Sequence, residues 1–390
     1  MLYNARLAFS LTRSFCTKPQ RLHKTKVALM LGFNGTGFQG MQYNPSIRSI
    51  EQTLFEALCK AGAVSELNSM DPKKIQMARA ARTDKGVHAV GNVVSAKLVV
   101  EDPDIVSKIN QHLPDQIKVW GYTPVTGGFH AKKACNGREY EYWLPTYTLE
   151  MPPSRSLHLR SSREHPSDLY IAEENAYIPV STRESIAEKH QCRISSTKLE
   201  QFRDAMAVFQ GTHNFHNYTI QRNSSDPSAN RYIMRVEVGQ PKQFDGMEWV
   251  NVKLRGQSFM LHQIRKMIAM AMLVTRTDTP TSVISQSFEH HKINIPKAPA
   301  LGLLLEKPLF DGYNQRIADR PDRSPISFDS YKDAMDEFKE RWIIDEMLAT
   351  EKEQNLFDRF LLYMDAQQTG PVFSYLNKEG CIPPEAILTF

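Results

Sequence analysis

The chain has 390 residues, 41% hydrophobic and 23% charged, with a formal net charge of +5; at about 100–200 residues per domain it holds two domains and an appendage. No apolar run approaches 18 residues, which excludes a bilayer-spanning helix. The five cysteines (Cys16, Cys59, Cys135, Cys192, Cys381) are isolated and never paired as C-x-x-C, which argues against a disulfide framework and against a thiolate zinc site.

Charge is unevenly spread. Residues 1–26 carry six Lys/Arg and no acid, and residues 317–390 carry eight basic and fifteen acidic side chains, so the positive field falls on the middle of the chain. The leader, residues 1–25, bears Arg and Ser/Thr and would place Leu2, Leu7 and Leu11 on one side of a helix, the description of a mitochondrial transit peptide. A basic arm that touches RNA is the alternative.

In chain order, 26-KVALMLGF-33 reads as a buried strand. The stretch 46-SIRSIEQTLFEALCKAG-62 reads as a helix, capped by Ser46 or Ser49, with Ile50, Leu54 and Leu58 along one face. A strand at 92–100, a short helix at 104–113 and strands at 116–125 and 137–145 follow, the order of a split βαβ unit of the ferredoxin-like kind. Residues 146–195, poor in aliphatics and broken by prolines, read as an insertion. A helix at 196–211 with Gly211 as its stop, strands at 231–239 and 248–256, a helix at 258–276, a shorter one near 281–290 and a strand at 301–306 repeat the pattern. The acidic tail from 316 to 390 reads as helical. The expected class is therefore α+β. Two ferredoxin-like half-domains, 26–145 and 196–315, would form a largely antiparallel sheet, with helices on one face, an RNA-binding cleft on the other, and a helical extension.

Several patterns carry chemistry. Gly35, Gly37 and Gly40 satisfy G-x-G-x-x-G after a strand, with Glu56 about twenty residues on, as dinucleotide binding requires. Pro45 delays the helix beyond the glycines, so its N-terminus cannot meet a pyrophosphate there. What remains is a loop whose backbone comes close to something, suited to a sugar-phosphate chain. His213 and His216 have ligand-like spacing, with His262 as a third candidate, yet 211-GTHNFHNYT-219 holds no acid or thiolate; a polar loop with Phe215 and Tyr218 near a ligand is the preferred reading. On the strand at 137–145, alternation puts Arg138, Tyr140 and Tyr142 on one face, where a base can stack and a phosphate can be held. Asp84, between Arg82 and Lys85, stays ionised beside those cations and serves as an ion-pair strut, a metal ligand or a covalent nucleophile.

The run 82-RTDKGVHA-89 resembles the signature of the TruA class of tRNA pseudouridine synthases. The resemblance continues through 33-FNGTGFQGMQYNP-45, 211-GTHNFHNYT-219, 256-GQSFMLHQIRKMI-268 and 298-APALGLLLEKPLFDGYN-314. It covers residues 26 to 315 apart from the insertion and is nearest to the eukaryotic branch. It implies Asp84 as nucleophile, Tyr140 stacking on the target uracil and accepting the C5 proton, and Arg265 paired with Asp84. Arg82, Lys85, His88, Arg138, His213, Phe215, Asn217 and His262 are implied as substrate-binding. The implied substrate is tRNA, in the anticodon-stem region, with other structured RNA as a further candidate; no cofactor, metal or membrane is implied, and the oligomeric state is left open. The leader adds a mitochondrial location, against a nuclear or cytoplasmic alternative. The rivals are a non-catalytic RNA-binding protein of the same fold and a metal-dependent hydrolase acting through the histidines.

Overall fold

The computed structural model describes residues 23–44, 46–151, 170–172, 176–178, 181–367 and 370–388. The leader at 1–22 and residues 152–169, 173–175 and 179–180 of the expected insertion lie outside the described residues.

The described residues form twelve strands: β1 (Thr25–Phe33), β2 (Ala78–Arg79), β3 (His88–Leu98), β4 (Ile117–Pro124), β5 (Gly137–Pro145), β6 (Tyr170–Ala172), β7 (Ala176–Ile178), β8 (Gly211–Asn214), β9 (Asn230–Val238), β10 (Lys242–Phe244), β11 (Met247–Gly256) and β12 (Leu303–Leu309). Ten of them form one sheet in the order β4-β1-β3-β12-β5-β11-β9-β8, with β2 on β3 and β10 on β11. Every pairing in it is antiparallel except β12 with β3. The sheet runs unbroken through both halves of the chain. β12 lies between β3 and β5, and β5 lies between β12 and β11, so each half lends a strand to the other.

The helices are α1 (Ile50–Lys60), α2 (Ile105–Gln111), α3 (Ala131–Ala134), α4 (Arg183–Gln191), α5 (Ser196–Ala207), α6 (Gln263–Arg276), α7 (Ser282–Gln286), α8 (Asp311–Ile317), α9 (Lys332–Phe338), α10 (Asp345–Gln354) and α11 (Leu356–Gln367). α1 begins where its cap predicts: the Ser49 hydroxyl accepts from the Gln52 N–H at 3.3 Å and Ile50, Leu54 and Leu58 are fully buried. α6 starts five residues later than its apolar period suggests, because His262 sits at φ +63°, a left-handed conformation that no helix interior holds. Residues 257–262 are left as a loop.

Helices cover both faces of the sheet, which corrects the expectation of one. Tyr140 and Tyr142 point to one face, and α6 stands on that side, with Tyr142 bonded to the Pro299 carbonyl at 2.7 Å and Arg265 to that of Ala298 at 2.7 Å. Glu139 and Glu141 point to the other, where the acidic extension lies. Between α9 and α10 a π-helical turn, Lys339–Ile344, brings the Lys339 ammonium onto both Glu141 and Glu306. Phe338 meets Trp120 edge-on at 5.4 Å beside this ion cluster. The extension's own basic anchor therefore lets an acidic segment lie against the back of the sheet.

Candidate active site

The Asp84 turn is built by contacts from the first glycine loop. Gly86 takes φ +74° and the Val87 N–H closes on the Asp84 carbonyl at 3.1 Å, so the chain reverses just after the aspartate. The loop following β1 presses against this turn: a Cβ on Gly40, itself at φ +90°, would stand 2.7 Å from the Thr83 carbonyl, and one on Gly35 would stand 2.3 Å from that of Val87. The Met41 N–H donates to the Thr83 carbonyl at 3.2 Å. What the glycines of this loop approach within the protein is its own turn.

His88 completes the brace from below. Buried at 2% exposure, it accepts at Nδ1 from the Gly35 N–H at 3.1 Å. Burial pushes its pKa down to about 4, so it is neutral and can accept. It supports the turn and is not among the residues lining the cleft.

A cleft of about 670 Å³ opens over Asp84, walled by residues 77–84, by Arg138 and Tyr140 of β5, and by residues 258–264, the loop before α6 and the start of that helix. Arg138 ties its two walls together, donating to the Ala80 carbonyl at 2.8 Å and the Gln257 carbonyl at 3.1 Å. Tyr140 lies in the floor, edge-on to Phe259 at 5.2 Å. Its hydroxyl is pushed up to about 12 by burial, against the pull of the Arg138 charge. Arg82 reaches the rim, whereas Lys85 is exposed outside the cleft. The Asp84 side chain is 38% exposed, within reach of a substrate.

His262, not Arg265, is the cation candidate nearest the carboxylate. Its Nδ1 stands 3.4 Å from Asp84 Oδ2. Burial lowers its pKa, and Asp84 works in the opposite direction. The expected Arg265–Asp84 pair is not formed: Arg265 donates through Nε to the Ala298 carbonyl, and the Asp84 charge acts on it through space.

The 211–219 motif lies apart from the Asp84 cleft: residues 215–219 are buried, and residues 211–214 are half-buried or exposed. Residues 211–214 are strand β8, Phe215 is fully buried among Phe209, Tyr218 and Phe288, and His213 stacks on Phe288 at 4.3 Å. The Asn217 amide donates to the carbonyls of Ser287 and His291, each at 2.9 Å, and accepts from the Ile293 N–H. The motif's link to the site is indirect. Lys266 on α6 donates to the carbonyls of Asn217 and Thr219, and the Thr219 hydroxyl donates to that of Leu261, which fixes the loop carrying His262.

Phe259, Gln263, His130 and Lys132 also line the cleft and were not singled out by sequence reasoning. Phe259 was hidden by the helical period that spans it, and nothing in 129-FHAKK-133 marks it as site-forming.

A family model described as tRNA pseudouridine synthase matches residues 205–311. The tRNA pseudouridine synthase 1 of Kluyveromyces lactis is 44% identical over 391 residues, covering 88% of this chain and 70% of its own length. That of Saccharomyces cerevisiae is 42% identical, covering 93% and 78%. The pseudouridylate synthase 1 homolog of Mus musculus is 36% identical, covering 88% and 74%. The chain belongs to the tRNA pseudouridine synthase family.

Proposed function

We propose that the protein isomerises specific uridines of tRNA, in the anticodon-stem region, to pseudouridine. One observation carries the site assignment: a solvent-reachable carboxylate, Asp84, shares one cleft with the buried Tyr140 and with Arg82, Arg138 and His262. A stacked uridine cannot present its reacting atoms to such a group, so the nucleotide is flipped into the cleft.

Asp84 attacks either C1′ of the ribose or C6 of the uracil, and the N1–C1′ bond breaks. The uracil turns, free in the first case and held on Asp84 through C6 in the second; a C5–C1′ bond forms, the bond to Asp84 breaks and returns the carboxylate, C5 gives up its proton and N1 takes one up. No electrons are gained or lost and no cofactor is required. Tyr140 holds the ring by stacking and takes the C5 proton. In that role it must first release its own, since burial holds the hydroxyl at about 12. Arg265 supplies a positive field behind the carboxylate. Arg82 and Arg138 hold phosphates, in a salt-dependent way.

The catalytic half, residues 26–145, and its partner, 196–315, are read as two ferredoxin-like units that interleave where β12 enters between β3 and β5; the mixture of strands and helices in each half supports this. The basic leader supports a mitochondrial location, and the same cleft suits other structured RNAs.

The test is Asp84→Asn assayed on tRNA carrying [5-³H]uridine. The variant binds tRNA as the native protein does and releases no tritium. Native turnover in this variant would remove Asp84 from the mechanism.

A further inference from the structure

A second groove adjoins the Asp84 cleft. One wall is Gly128, His130 and Lys133 at the start of α3, the other is Arg316 and Arg320 at and beyond the end of α8, and Phe129 and Tyr313 form the floor. The floor is rigid: the two rings meet at 4.7 Å, and the Tyr313 hydroxyl accepts from the Thr126 N–H at 3.2 Å. His130 lines both this groove and the cleft, and Lys132 beside it lines the cleft, so the two hollows form one path.

The charge along that path has one sign. No carboxylate lines the groove among the described residues. Asp319, the acid nearest in sequence to Arg316 and Arg320, is not among the residues lining the groove, and the next nearest are engaged elsewhere, Asp311 with Arg255 and Asp322 with Arg323. Arg316 has its Nε fixed on the Gly312 carbonyl at 3.0 Å, which leaves its terminal nitrogens for a ligand. Burial and the charges of Lys133, Lys26 and Lys132 together lower the proton affinity of His130, a sign of positive potential at the junction of groove and cleft. Unpaired cations on a rigid aromatic floor, leading away from a nucleotide pocket, match a polyanionic strand.

We propose that this groove holds the sugar-phosphate backbone of the RNA strand running away from the nucleotide in the Asp84 cleft, with Lys133, Arg316 and Arg320 on successive phosphates. The assignment rests on the proposed function, because it takes the cleft as the place where the target uridine sits. It makes the first turn of the extension, otherwise acidic, part of the substrate-binding surface. The groove sets affinity and the reach along the RNA, and the chemistry stays with Asp84.

The experiment compares two double variants, each losing two positive charges. In Lys133→Gln/Arg316→Gln the groove is neutralised. In Lys352→Gln/Lys378→Gln the lost cations are ones that pair with Asp245 and Asp278. Full-length unmodified tRNA transcript is titrated onto each across a salt series, and turnover is read at saturating tRNA. The groove variant binds about tenfold more weakly, and its plot of log affinity against log salt loses roughly 1.5 of its slope, at about 0.7–0.9 per phosphate contact. Its saturated turnover stays within about twofold of the native value, the expectation for contacts that bind without entering the chemistry. The control variant keeps both affinity and slope. Equal losses in the two variants, or an unchanged slope in the groove variant, overturn the proposal, the latter leaving the groove to a protein ligand. If the native protein binds tRNA with the groove-dependent slope but forms no pseudouridine, the proposed function fails while the groove stands.

Discussion

Removing the cation that pins the extension to the sheet should destabilise the protein in a way that depends on pH. In Lys339→Met, Glu141 and Glu306 lose the ammonium they share, and the Glu141 side chain is only 1% exposed. Breaking a buried pair by deleting one partner costs about 3–5 kcal/mol. The lower end applies here, because Glu306 can take up a proton and Asn251 still donates to Glu141 at 2.6 Å. Burial alone would raise Glu141; the hydrogen bond with Glu306 and the Lys339 charge outweigh it and hold Glu141 down at about 2. Burial and the Glu141 charge lift Glu306 to about 7. In the native protein the Glu306 contribution is complete below its unfolded value near 4.5 and is lost as pH rises through 7, while that of Glu141 is lost only as pH falls towards 2. Without Lys339 no positive charge opposes burial, only the hydrogen bonds of Glu306 and Asn251 still favour the Glu141 carboxylate, and stability falls more steeply with rising pH. Urea unfolding at pH 5.5 and pH 8 reads this as a larger loss of midpoint at the higher pH. The triple variant Glu141→Gln/Glu306→Gln/Lys339→Met should recover most of the loss. A midpoint for Lys339→Met equal to the native one at pH 8 would refute the idea that this cluster anchors the extension.

Gly40→Ala should cut tritium release more than tenfold with tRNA affinity nearly unchanged, since the new methyl meets the Thr83 carbonyl and shifts the Asp84 turn. Gly62→Ala, at φ +79° with open space around it, carries only the backbone cost of about 1 kcal/mol and should keep native turnover; equal activity in the two would show that the close approach does not matter. Glu351 is lifted to about 8 by burial, so it holds a proton at neutral pH, and its contribution to stability is lost as pH rises through 8. Glu351→Gln should match the native protein at pH 6 and exceed it at pH 9 by about 1–2 kcal/mol in denaturant unfolding; a variant weaker at both values would mean that the carboxylate form is the native one.

Elements whose period is clean were legible in the sequence. β5 spans the expected 137–145, and α1 starts at the serine that caps it. β8 was not legible, because GTHN has no alternation of apolar and polar residues and earns its strand by pairing with β9. The strand order was out of reach for a different reason: periodicity says which residues are strands and nothing about which distant strand lies alongside. In the site, Asp84, Arg138, Tyr140 and His262 do converge on one cleft. The 211–219 motif misled because a buried asparagine that satisfies carbonyls and an exposed one that binds a ligand look the same in one dimension. Backbone approach at Gly35 and Gly40 was inferred correctly, but only the structure names the 83–87 turn as what they approach.

The interleaving of β5 and β12 bears on how the protein is made. β12 pairs with β3 more than two hundred residues after it in the chain. A nascent chain emerged only through β5 already contains Asp84 and Tyr140, yet β3 and β5 face each other across a missing strand, with two open edges that invite wrong partners. Closing that gap joins very distant segments, a slow kind of step in folding. The catalytic face can therefore close only once the chain through β12 has been made, and until then the nascent molecule is a half-sheet with Asp84 and Tyr140 in place and the strand between β3 and β5 still missing.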